Sequence, residues 1–66
     1  MNVTINGKIQ SVADNATLND LITSSLKGCS RVIAEHNGAI VKKDNWMQTP
    51  LADGDVIELI SFVGGG

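Results

Sequence analysis

The 66-residue chain is poor in the residues that staple or charge a small protein: one cysteine, one histidine, one proline, no tyrosine, one phenylalanine and one tryptophan. A lone Cys29 excludes an intramolecular disulfide framework, and with a single histidine, His36, it also excludes a structural zinc site of ordinary ligand count. The fold must therefore be held by packing alone, as suits a reducing cytosol. Five Lys and Arg stand against seven Asp and Glu, a net charge of -2, so there is no basic excess to grip phosphates and nucleic acid is not expected as a partner. No apolar run approaches the length of a membrane span, and Met1 leads straight into a strand-like alternation without the charged and apolar regions of a leader. The expectation is a cytoplasmic protein with no membrane partner. Without a secretory route, the glycosylation-type triplets Asn2-Val3-Thr4 and Asn15-Ala16-Thr17 carry no weight.

What is present is the composition of a folded chain, 42% hydrophobic and 18% charged. A chain this short buries only about 60% of the surface its unfolded form exposes, which leaves little room for an enclosed catalytic pocket. A carrier or binding module is expected, not an enzyme.

Met1, Val3 and Ile5 alternate with Asn2, Thr4 and Asn6, and Asn6-Gly7 supplies the dipeptide that tolerates a tight type I′ turn. The return strand, Lys8 to Ala13, puts Ile9 and Val12 on opposite faces of a regular pleat, so either a bulge intervenes or Ile9 is partly exposed. Thr17 with Asp20 forms a capping pair. The stripe Leu18, Leu21, Ile22, Ser25 and Leu26 predicts a helix of about ten residues, closed by Gly28 in a left-handed cap. Arg31 to His36 alternates again, with Val32, Ala34 and His36 on one face, and Asn37-Gly38 turns the chain into the short apolar run Ala39-Ile40-Val41. The segment from Lys42 to Met47 reads as a single helical turn or irregular crossover that carries Trp46 onto the core. Asp53-Gly54-Asp55 precedes a nearly continuous apolar strand, Val56 to Val63. With one helix only, the architecture is α+β, a mixed four- to five-stranded sheet covered on one face, with the first and last strands adjacent at its centre.

Residues 1–63 form the domain, and Gly64, Gly65 and Gly66 follow as a flexible tail. By itself that tail is either a frayed end or a thread slim enough, without Cβ atoms, to enter a channel closed to other residues and present an α-carboxylate at its tip. Cys29 follows the C-terminal end of the helix, where the dipole does not favour a thiolate. Lys27 and Arg31 offset this only in part, so Cys29 reads as structural or incidental. His36 has no second ligand or catalytic partner in sight and reads as a partly buried structural residue. If Ile57, Leu59 and Val63 face the helix, then Val56, Glu58, Ile60 and Phe62 share the opposite face. They form either a docking patch or a face partly covered by the loop bearing Trp46.

The whole chain resembles the ThiS sulfur carriers of thiamin (thiazole) biosynthesis, within the ubiquitin-like β-grasp superfamily. The resemblance rests on the hairpin at Asn6-Gly7, Thr17 opening the helix, Asn37-Gly38 before Ile40-Val41, Trp46, the run Leu51-Ala52-Asp53-Gly54-Asp55, and Val63-Gly64-Gly65-Gly66. Two departures are visible: His36 stands where such sequences carry an aliphatic residue, and Lys42-Lys43 where a proline and a basic residue are usual. The resemblance implies that Gly66 is adenylated by an E1-like, ThiF-like partner using ATP and magnesium. It is then converted to a thiocarboxylate with sulfur from a donor such as a cysteine desulfurase, and the sulfur passes to a ThiG-like thiazole synthase. In that scheme the chain binds no cofactor and holds no catalytic group or metal. Gly64 and Gly65 thread the partner's active site, while Val56, Glu58, Ile60 and Phe62 dock it. The competing implications are a carrier like the small subunit of molybdopterin synthase, with the same tail chemistry, and a β-grasp interaction module whose tail is never activated. Conjugation to lysines has no support beyond the generic fold.

Overall fold

The computed structural model describes residues 1–26 and 31–62. Strands β1 (Asn2–Ile5) and β2 (Lys8–Ser11) form the N-terminal hairpin. Asn6 and Gly7 both take positive φ, 49° and 84°, the pair of values a type I′ turn demands. Pairing runs unbroken from Ile5 opposite Lys8 to Asn2 opposite Ser11, so there is no bulge. Ile9 sits opposite Thr4 with its side chain exposed, which resolves the choice left open by the sequence. The strand is shorter than expected, ending at Ser11, although Val12 N–H still donates to Met1 O at 2.8 Å.

Helix α1 (Leu18–Ser25) opens on the reciprocal cap. Asp20 N–H donates to Thr17 Oγ1 at 3.2 Å, and Thr17 N–H donates to an Asp20 carboxylate oxygen at 2.9 Å. Leu18, Leu21 and Ile22 are buried and Leu26 is half-buried. The helix has eight residues rather than ten, and Ser25, its last residue, is exposed rather than part of the buried stripe. The expected cap at Gly28 lies outside the described residues.

Strands β3 (Arg31–His36) and β4 (Ala39–Val41) form the second hairpin, around Asn37 and Gly38 at φ 51° and 88°. A 3₁₀ helix, Lys43–Gln48, then brings Trp46 into the core, where its Nε1–H donates to Val41 O at 2.9 Å. Backbone bonds from Leu18 N–H to Thr49 O and from Leu51 N–H to Ala16 O strap the following segment to the start of α1. Strand β5 (Val56–Phe62) closes the sheet.

The strand order is β2-β1-β5-β3-β4, with β5 parallel to β1 and antiparallel to β3. The long, mostly apolar β5 is thus central, with β1 and β3 on either side of it, an arrangement that buries its inner face. Val3, Ile5, Ala34, Ile57 and Leu59 from the sheet meet Leu18, Leu21 and Ile22 from the helix and Trp46 and Leu51 from the crossover in one core. All of this packing lies on one side of the sheet.

Candidate functional site

Side chains alternate across a strand, and β5 shows the consequence in full. Ile57 and Leu59 are 0% and 8% exposed, whereas Val56, Ile60 and Phe62 are 46%, 49% and 47% exposed, and Glu58 between them faces solvent. The assignment of faces made from parity therefore matches the observed burial. Trp46 belongs to the core beneath the helix and does not cover the other side, so that alternative drops out among the described residues.

Register extends the outer face beyond β5. Opposite Phe62, Ile60 and Glu58 on β3 stand Arg31, Ile33 and Glu35; Ile40 of β4 lies opposite Glu35, Thr4 of β1 lies beside Val56, and Ile9 of β2 lies opposite Thr4. Ile9, Ile33, Ile40, Val56, Ile60 and Phe62 make this face a broad apolar surface with two carboxylates set into it. Sequence reasoning found only the β5 members. The alternation of Arg31 to His36 marked the inner residues Val32 and Ala34, but nothing in the chain announced that Ile33 and Glu35 would stand directly across from Ile60 and Glu58.

The two asparagine turns act as clips on β5. Asn6 brackets the backbone of Leu59: its Nδ2–H donates to Leu59 O at 3.2 Å and its Oδ1 accepts from Leu59 N–H at 2.8 Å. Asn37 does the same for Val56, with its Oδ1 accepting from Val56 N–H at 2.8 Å and its own N–H donating to Val56 O at 2.8 Å. Each residue was chosen by its turn, but the side chain performs a second task that the dipeptide signal does not contain.

Asp55 anchors the start of β5. Its carboxylate is buried and accepts from His36 Nε2 at 2.7 Å, Asn37 Nδ2–H at 3.0 Å and Ala52 N–H at 2.8 Å. Burial by itself would push the pKa of this group up, but the three hydrogen bonds and the nearby His36 outweigh it and hold the carboxyl below its ordinary value. His36 is thus a partner of Asp55, in keeping with a structural role. Nearby, Asp53 accepts from Asn2 N–H at 2.8 Å and Gly54 N–H donates to Asn2 O at 2.7 Å, which ties the turn before β5 to the start of β1. The tail residues Gly64, Gly65 and Gly66, together with Val63 and Cys29, lie outside the described residues. Among the described residues no helix is long and apolar enough to cross a membrane.

Comparison with known proteins agrees with this architecture. The model of the ThiS family matches residues 3–66. The sulfur carrier protein ThiS of Bacillus subtilis is 40% identical over 63 residues, which cover 94% of this chain and 96% of that protein. A thiazole synthase of Paramagnetospirillum magneticum is 32% identical over all 66 residues, a stretch that makes up 20% of that protein. The crystal structure of the thiamine biosynthesis protein ThiS from Geobacter metallireducens superposes with a TM-score of 0.82 at 32% identity, covering both chains completely. A match over nearly the whole length, together with the five-stranded mixed sheet and its single helix, establishes that the chain belongs to the ThiS family.

Proposed function

We propose that the protein is a sulfur carrier of thiamin biosynthesis that works as a protein co-substrate, with Gly66 as the atom-bearing end and the outer face of β5 as its handle. The observation that carries this reading is the family match, which extends to residue 66 and so includes Gly64-Gly65-Gly66. A carboxylate is anionic and resonance-stabilised, hence a poor electrophile, so the Gly66 α-carboxylate first displaces pyrophosphate from ATP, on a magnesium-dependent E1-like partner, to give an acyl adenylate. Hydrosulfide attacking the acyl carbon expels AMP and leaves the tail as a thiocarboxylate directly. A persulfide from a donor such as a cysteine desulfurase expels AMP to give an acyl disulfide, which a partner thiol then opens, taking the donor cysteine into a disulfide and releasing the thiocarboxylate. ATP and magnesium belong to the partner. The carrier supplies recognition and reach: the four residues beyond Phe62 span at most about 14 Å when fully extended, so docking on β5 sets Gly66 within that distance of the handle.

Thiazole synthase is the acceptor this reading names. A thiazole synthase that contains a stretch similar to the entire chain supports it, because joining carrier and acceptor in one polypeptide raises their effective concentration. Val56, Glu58, Ile60 and Phe62 form the docking strip, and Gly64 and Gly65 give the tail the slimness to pass a narrow channel. Its dependence on ATP and on reduced sulfur supports a cytoplasmic location.

Intact-mass analysis tests the proposal. Incubated with its adenylating partner, ATP and a sulfur donor, the protein should gain the mass of sulfur minus oxygen, and peptide mapping should place the change on Gly66. Gly65→Val should keep the wild-type thermal midpoint but lose most of that conversion. Sulfur found on Cys29 instead, or full conversion of the Gly65→Val variant, would refute the assignment.

A further inference from the structure

The outer face contains an arrangement that folding does not explain. Asn37 N–H donates to Val56 O, which marks Asn37 and Val56 as a closely hydrogen-bonded pair of the antiparallel ladder between β3 and β5. Such pairs recur every second residue, so Glu35 and Glu58 form the next one, with Cα atoms about 5.5 Å apart and both side chains on the outer side. Two carboxylates directly opposite one another destabilise a sheet. Neither forms an ion pair with any described residue, and Arg31, the one basic residue on this face of β3, stands four positions from Glu35 with Ile33 between. Ile33 and Ile60 flank the pair on one side, Val56 on the other, and Ile40 lies beside it on β4. The carboxylates therefore sit on a mainly apolar face, with Asn37 opposite Val56 as their polar neighbour, where an added cation would be partly desolvated and held by charge-assisted bonds.

We propose that the partner surface docking on this face presents an arginine or lysine that inserts between Glu35 and Glu58, within a mainly apolar contact. This rests on the docking role assigned above and adds the chemistry of the occupant, which we take to be the adenylating enzyme. A second copy of this chain does not satisfy the site, because two such faces brought together gather four carboxylates. An anionic membrane fails for the same reason.

The test uses the full-length protein and its adenylating partner, with Glu35→Gln, Glu58→Gln and the double variant, titrated calorimetrically at about 50 and about 300 mM salt, conditions that differ in screening length. Each single substitution should weaken binding about tenfold at low salt, the double should weaken it further, and the salt dependence seen with the wild type should flatten. The thermal midpoints should stay level or rise, since the repulsion is relieved. Wild-type affinity and salt dependence in the variants would overturn the proposal, as would midpoints that fall in step with affinity, or a wild-type dimer in sedimentation that the substitutions dissociate. Unchanged affinities together with normal sulfur transfer to Gly66 remove this inference and leave the carrier function standing. Absence of sulfur on wild-type Gly66 removes the carrier function, whereas glutamate-dependent, salt-sensitive binding to the same enzyme would still uphold the cation site.

Discussion

Phe62→Ala separates the two faces of β5 most sharply, because the ring is divided between folding and solvent. A phenylalanine offers about 150–250 Å² of apolar surface. At 47% exposure close to half of it, roughly 80–90 Å², remains for a partner to cover. At about 25 cal/mol per Å² that surface is worth about 2 kcal/mol on docking, equivalent to a roughly 30-fold change in Kd. The covered half lies on an open sheet surface opposite Arg31, where truncation leaves no enclosed cavity. The folding loss should therefore stay near the ~2 kcal/mol that the covered half is worth at the same coefficient, short of the 3–5 kcal/mol typical of a buried phenylalanine. Two assays decide the matter: urea unfolding of the free protein, and titration of the variant into the adenylating enzyme. A loss of 3 kcal/mol or more in folding, with unchanged affinity in the protein that remains folded, would refute the division of β5 into a packing face and a docking face.

Two further predictions concern the supports of that strand. Asn6→Ala removes both bonds to the Leu59 backbone and puts at φ 49° a residue without the short polar side chain that lets asparagine tolerate the left-handed region, so it should cost about 3 kcal/mol in urea unfolding, while Asn6→Gly, which keeps the turn and loses only the clip, should cost about 1 kcal/mol less. Because the Asp55 carboxyl is held below its ordinary value in the folded state, its contribution to stability is fully present above about pH 4 and is lost as the pH falls through the lowered folded value. Asp55→Asn should accordingly be less stable at neutral pH yet lose less of its thermal midpoint between about pH 5 and pH 3; equal acid slopes for the two proteins would show that Asp55 contributes nothing to the acid response.

The elements were legible wherever local chemistry dictates them. Asn6-Gly7 and Asn37-Gly38 prescribe their turns because few residues tolerate two successive positive φ values, and Thr17 with Asp20 prescribes the helix start because both groups meet backbone N–H donors. Placing β1 beside β5 followed from the need to bury Val3 and Ile5 of the first strand against the long apolar last strand. What stayed hidden depends on register, which is a property of two segments at once. Glu35 and Glu58 are 23 positions apart, and only the pairing of β3 with β5 puts them face to face. The clips made by Asn6 and Asn37 were invisible for the same reason, since their partners Leu59 and Val56 lie far along the chain. Ile9 was ambiguous because an edge residue is not compelled to face the core.

The near-continuous apolar run of β5 would ordinarily indicate a strand covered on both faces, as in parallel sheets sandwiched by helices. Here a single helix covers one face, so the apolar residues on the other exceed what the fold requires, and an exposed surface of that kind invites self-association. The glutamates answer that problem in the free protein. Set opposite one another in the middle of the patch, they make the approach of an identical face electrostatically unfavourable while leaving the apolar residues uncovered. The same pair becomes favourable only against a surface of opposite charge. Specificity then arises from a penalty against wrong occupants as much as from attraction to the right one. Because Ile57 and Leu59 carry the packing on the inner side, substitutions on the outer side can change partner choice without dismantling the core.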